Sequence, residues 1–159
     1  DDEWLQAAWD NAASKVIVVE GGRAVVQGDR LVWTSPESAP FGERFFLGID
    51  DAQPPGAGLF AVASPLPEPL PQGARPATLR DVGGDLCDTE AGLLAHAAAL
   101  ERWHALHRCC PRCGAPTVVS MGGHVRRCLA DCSKEACADL SRFRHPGHDC
   151  TERVLGRRQ

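Results

Sequence analysis

Between Lys15 and Val62 the apolar positions come as short β-branched runs broken by turn residues. They read Lys15-Val16-Ile17-Val18-Val19, then Glu20-Gly21-Gly22, Ala24-Val25-Val26, Gln27-Gly28-Asp29 and Leu31-Val32-Trp33. Such runs predict a β-meander with tight turns. Two further strands are expected at 44–49 and 58–62, on either side of the Asp50-Asp51 to Pro54-Pro55 loop. Ahead of them Trp4, Leu5, Ala8 and Trp9 fall at helical spacing, so a short amphipathic helix should dock its tryptophans on the sheet.

The pattern changes at Ser64. Five prolines (Pro65, Pro67, Pro69, Pro71 and Pro76) remove backbone donors from this stretch, which therefore predicts a linker or an extended surface segment. Beyond it Asp88 can cap a helix whose first turn carries Glu90, favourable at the positive end of the dipole. The stripe Leu93, Leu94, Ala97, Leu100 and Trp103 carries that helix to about His107. It delivers the backbone directly to Cys109-Cys110.

Composition sharpens this outline. With 159 residues, 43% hydrophobic and 24% charged, the chain has the usage of an ordinary packed protein of one modest or two small domains. No apolar run reaches the roughly 18 to 20 residues of a membrane span, and the opening lacks a basic-then-apolar leader, so a soluble cytoplasmic protein is expected. Residues 1–100 hold 6 Lys+Arg against 15 Asp+Glu, while the rest holds 11 against 6. The cysteines divide in the same way: Cys87 stands alone and the other seven lie between Cys109 and Cys150. Paired short spacings of this kind favour a metal over a disulfide framework.

The sharpest local signal is Cys110-Pro111-Arg112-Cys113-Gly114, a knuckle that points two thiolates at one ion. Cys128 follows after fourteen intervening residues and Cys132 after three more, so Cys110, Cys113, Cys128 and Cys132 form a candidate Cys₄ set for structural Zn²⁺. The 117–127 segment between the pairs, with Gly122-Gly123 at its centre, reads as a hairpin. Together these make the layout of a zinc ribbon. A closed site of this type leaves no position for a catalytic water. Cys109, Cys137, His145, His148 and Cys150 are chemically able to replace Cys132. His104 and His107, at i and i+3 on the helix, are expected to pack or to face solvent. Arg108, Arg112, Arg126 and Arg127 are expected to form a solvated basic face, because the ribbon has no aromatic platform on which bases could stack.

Several ordered blocks carry a resemblance. They are Glu43-Arg44-Phe45-Phe46-Leu47-Gly48-Ile49-Asp50-Asp51, Leu79-Arg80-Asp81-Val82-Gly83 and Asp88-Thr89-Glu90-Ala91-Gly92-Leu93-Leu94-Ala95-His96-Ala97. Trp103-His104, the Cys110–Thr117 knuckle and Gly122-Gly123-His124-Val125-Arg126-Arg127-Cys128 complete them. Over residues 1–132 the chain resembles the NADH pyrophosphatases, also described as NAD-cap RNA hydrolases, of the Nudix superfamily, in their actinobacterial form. The resemblance implies a β-rich domain and zinc ribbon ahead of a Nudix domain that cleaves NAD(H) to AMP and nicotinamide mononucleotide. It implies Mg²⁺ or Mn²⁺ bound by that domain's glutamates, NAD(H) or NAD-capped RNA as partners of the full-length enzyme, and homodimerisation. No Arg-Glu-x-x-Glu-Glu run occurs in the chain.

The expected architecture is therefore α+β: a small N-terminal antiparallel β-rich domain with its Pro-rich linker (1–76), a connecting segment and helix (77–108), a zinc ribbon (109–133) and a disordered tail (134–159). The tail, rich in Arg, His and Cys and without apolar alternation, reads as a truncated or frameshifted start of a Nudix domain. On this reading the chain is the non-catalytic front of a longer enzyme. The alternative is a stand-alone zinc-ribbon module that binds nucleic acid or a protein.

Overall fold

A computed structural model describes residues 2–49 and 54–130. Its contacts divide the chain into two compact units, one ending at Arg102 and the other starting at Trp103. The expected tail, with Cys132, Cys137, His145, His148 and Cys150, lies outside the described residues, as do Asp50 and Asp51. The class is the expected mixed α and β, with a β-rich sheet and one long helix. Among the described residues no helix is long and apolar enough to cross a membrane.

The first unit opens with helix α1 (Asp2–Trp9) and strands β1 (Lys15–Glu20), β2 (Arg23–Gln27), β3 (Arg30–Leu31), β4 (Glu43–Ile49) and β5 (Gly58–Ala63). Strand β6 (Ala74–Thr78), the short helix α2 (Leu79–Val82) and the long helix α3 (Asp88–Leu106) follow, the last residues of α3 from Trp103 onward, His104 among them, belonging to the second unit. The sheet order is β3-β2-β1-β5-β4, with β6 paired to β2. One pairing corrects the expectation of a purely antiparallel sheet. Strands β1 and β5 run parallel, with Val16 opposite Phe60 and Val18 opposite Val62.

The physical reason lies in their burial. Val16, Ile17, Val18 and Val19 are all buried, as are Gly58 to Val62, so both strands are covered on both faces. Continuous apolar runs are what a doubly covered, parallel-paired strand requires, whereas a half-exposed antiparallel strand alternates. One face packs Ile17, Val19, Leu59 and Ala61 against Leu94, Ala97 and Leu100 of α3. The other face packs Val16, Phe60 and Val62 against Ala8 and Trp9 of α1. Trp9 meets Phe60 edge-on at 5.2 Å, and the Arg44 guanidinium lies 4.0 Å from the Trp9 ring centre. The tryptophans of α1 thus dock as expected, Trp4 more loosely at 40% exposure against Phe46.

The Pro-rich stretch also contributes to the sheet. Its end forms β6, in which Pro76 stands opposite Val25. Strand β6 pairs along the whole of β2, so β1 and β3 share the other side of that strand. Proline is tolerated in β6 because it has a neighbour on one side only and its missing donor can face outward. The following turn is fastened by Asp81, which accepts from the backbone N–H and hydroxyl of Thr78 at 2.8 and 2.7 Å. Those two donors hold the Asp81 carboxyl below its ordinary range.

Helix α3 is pinned to the sheet near both of its ends. Buried Glu90 accepts from the Leu31 N–H at 3.0 Å and from the Trp33 indole at 3.4 Å, and it also faces exposed Arg30. Glu101 accepts from the N–H groups of Gly21 and Gly22 at 2.6 and 2.7 Å. These glycines, at φ +58° and +75°, form the β1–β2 turn. Successive left-handed residues aim both donors at one anion, and the Glu101 carboxylate supplies it.

Leu94→Ala, at a site with no exposure, should cost about 2–5 kcal/mol in denaturant unfolding. Phe41→Ser, at 99% exposure, should stay within about 0.5 kcal/mol of the parent. Glu101→Gln should lose about 1 kcal/mol or more, nearly as much as Glu101→Ala, because its amide places a donor against a donor. Equal stability of parent and Glu101→Gln in the same unfolding measurement would show that the paired N–H groups need no anion.

Candidate metal centre

The second unit carries strands β7 (Thr117–Ser120) and β8 (Val125–Cys128), joined by a tight turn through Met121–Gly123. They form the antiparallel hairpin expected from the sequence, with Thr117 opposite Cys128 and Val119 opposite Arg126. The first knuckle precedes it. Gly114 donates to the Cys110 carbonyl at 2.8 Å while Cys110 donates to the Ala115 carbonyl at 2.7 Å. This loop closes only because residue 114 sits at φ +75°, a conformation suited to glycine. A bridge between Cys109 and Pro116, and a bond from the Leu129 N–H to the Pro116 carbonyl at 3.0 Å, bring β8's end alongside the knuckle.

The Sγ atoms of Cys110, Cys113 and Cys128 consequently lie within 4.8 Å of one another, and those of Cys113 and Cys128 are 3.5 Å apart. A tetrahedral zinc with Zn–S distances of about 2.3 Å has S–S edges of about 3.8 Å, so the donor set fits that ion in type and spacing. Cys110 is buried, Cys128 partly so and Cys113 exposed. Cys109 is not part of this group. Three of the four sequence-expected ligands are therefore brought together, and Cys132 lies outside the described residues.

Next to the thiols sits a polar cluster that the sequence reading misplaced. Arg126, expected on a solvated basic face, is 4% exposed, and His104 is 1% exposed. The Arg126 guanidinium donates from Nε to Thr117 Oγ1 at 2.8 Å, from Nη2 to the Thr117 carbonyl at 3.0 Å, and from Nη1 to His104 Nδ1 at 2.6 Å. Because guanidinium only donates, Nδ1 must be the accepting nitrogen. The ring proton then resides on Nε2, which donates to the Gly123 carbonyl at 2.7 Å. The Thr117 hydroxyl in turn donates to the His107 carbonyl at 2.8 Å. His104 thus packs, as one of the two expected alternatives, while Arg126 leaves the basic face. A signal for Arg126 was present: two residues before Cys128 on a strand, it shares that cysteine's side of the hairpin. Arg108, Arg112 and Arg127 are exposed.

Comparison with known proteins follows this division. Residues 13–103 match a family model described as the NADH pyrophosphatase-like rudimentary NUDIX domain, and residues 105–135 match the NADH pyrophosphatase zinc ribbon domain. Among curated proteins the chain is 39% identical over 56 residues to the human NAD-capped RNA hydrolase NUDT12. The Macaca fascicularis protein of the same name gives 39%, and that of Pongo abelii 38%, over the same length. In each case the match covers 35% of this chain and 11% of the relative. The β-rich N-terminal unit, for which the sequence reading had no fold name, is itself Nudix-like. The sheet lies within the first matched segment and the thiol-bearing hairpin within the second, and the chain belongs to the NADH pyrophosphatase family.

Proposed function

We propose that these residues are the rudimentary Nudix domain and structural zinc ribbon of a NAD(H) diphosphatase, and that they do not hydrolyse NAD(H) by themselves. The observation that carries this reading is the three-thiol cluster inside the matched zinc-ribbon segment, directly after the matched Nudix-like segment. The full enzyme would split the pyrophosphate of NAD(H), or of an NAD cap on RNA, releasing AMP and nicotinamide mononucleotide from the free dinucleotide. That substrate class is supported by the names of the curated relatives. Catalytic Mg²⁺ or Mn²⁺ would belong to a glutamate-rich Nudix box, and no Arg-Glu-x-x-Glu-Glu run is present in these 159 residues.

In this reading Cys110, Cys113 and Cys128 hold Zn²⁺, with Cys132 as fourth ligand. Bound there, zinc would supply a structural cross-link between the knuckle and the hairpin. The protein's own share is geometric. The Gly114 turn aims the knuckle thiols, and the β7–β8 register sets Cys128 opposite Thr117.

Metal analysis of the purified chain should give one zinc per chain, lost in both Cys110→Ser and Cys128→Ser. Full zinc retention in Cys132→Ser at unchanged affinity would move the fourth ligand to another residue. With NADH and either Mg²⁺ or Mn²⁺, the chain should release no AMP. Release of AMP by the 159 residues would refute the second half of the proposal.

A further inference from the structure

The buried cluster beside the thiols has a geometry that bears on metal binding. Arg126 and Thr117 lie on the side of the hairpin that carries Cys128, since Arg126 precedes that cysteine by two residues and Thr117 stands opposite it. Two guanidinium bonds fasten β8 to Thr117 at the start of β7. Thr117 is itself fastened to the segment leading into the first knuckle, through its N–H to the Arg108 carbonyl and its hydroxyl to the His107 carbonyl, both at 2.8 Å. The third guanidinium bond reaches His104 in the last turns of α3, and the imidazole passes the restraint to the turn carbonyl of Gly123. A single buried cation therefore ties together both strands, the turn and the approach to the knuckle.

We propose that Arg126, with His104 Nδ1 as its acceptor, is a positioning residue for the metal site, holding Cys128 toward Cys110 and Cys113 before the ion binds. This inference rests on the zinc-ribbon reading above. Binding to an ordered set of thiolates avoids the entropy loss of gathering ligands from separate segments, so the tie should appear in zinc affinity. Neither residue donates an atom to the ion.

The two amide replacements of histidine separate this role from a general packing role. In His104→Asn the amide oxygen can stand where Nδ1 stands and still accept from Arg126, while the bond to Gly123 is lost. In His104→Gln the amide can stand where Nε2 stands and keep the Gly123 bond, while the acceptor for Arg126 is lost. Zinc affinity is read by competition with a chromophoric chelator on the full chain. Arg126→Met should weaken zinc about 10–100-fold, the effect usual for groups that orient metal ligands, at an unchanged stoichiometry of one. His104→Gln should follow Arg126→Met, His104→Asn should remain close to the parent, and Arg126→Lys should fall between.

Equal weakening in His104→Asn and His104→Gln would overturn the proposal, since each forfeits one buried bond and a packing role weights them alike. Parent-like affinity in Arg126→Met would overturn it as well. If Arg126→Met fails to fold, the comparison of the two histidine variants decides. Zinc bound by the parent and lost in Cys113→Ser, with every Arg126 and His104 variant unaffected, would defeat this inference alone. A parent that binds no zinc would defeat the ribbon reading beneath it.

Discussion

The first unit depends on how α3 is held against a sheet whose central strands are covered on both faces. Leu94, Ala97 and Leu100 supply the apolar contact, but such contact is non-directional and would tolerate sliding. Direction comes from two carboxylates on the same helix, Glu90 near its start and Glu101 near its end. Each takes backbone N–H groups from a strand or turn that would otherwise have open donors: Leu31 in one case, Gly21 and Gly22 in the other. The two acids are eleven positions apart on the helix, a span of about 16 Å at 1.5 Å per residue, so together they set the helix's position and its register on the sheet.

The second unit uses the opposite charge for the same purpose. A buried guanidinium is costly unless its donors are met, and Arg126 gives two of its bonds to Thr117 and one to His104. This choice fixes the imidazole as a neutral Nε2–H tautomer, which then supplies the donor that the Gly123 carbonyl accepts. The polar bonds run in one direction, from guanidinium to ring to turn, and every step follows from the donor-only character of arginine. The thiol cluster lies at the edge of this arrangement, where β8 ends.

Much of this was legible in the sequence, for identifiable reasons. The runs at Val16–Val19 and Leu59–Val62 declared strands because β-branched residues fit a pleated surface, and the knuckle declared itself through the Cys110, Cys113 and Gly114 spacing. The parallel pairing of β1 with β5 was not legible, since a run of four valine-like residues marks burial on both faces without naming the neighbour. Pro76 argued against a strand, yet β6 exists because a strand with one neighbour can spare a donor. Arg126 was misjudged because composition treats every arginine as a surface charge. Only the hairpin register, with Thr117 opposite Cys128 and Arg126 two residues away, places it inside.

The engagement of the two helix acids also bears on what they can offer a metal ion. A catalytic metal needs carboxylate oxygens that are oriented toward a substrate and are not committed elsewhere. In the N-terminal unit the Glu90 and Glu101 carboxylates of α3 are engaged by N–H donors of the sheet and its first turn. A divalent ion could recruit either one only by breaking bonds that hold the helix in place, and the released backbone donors would need new partners. In this unit those acids serve the packing of the fold, and the same hydrogen bonds that make it stable withdraw them from metal chemistry.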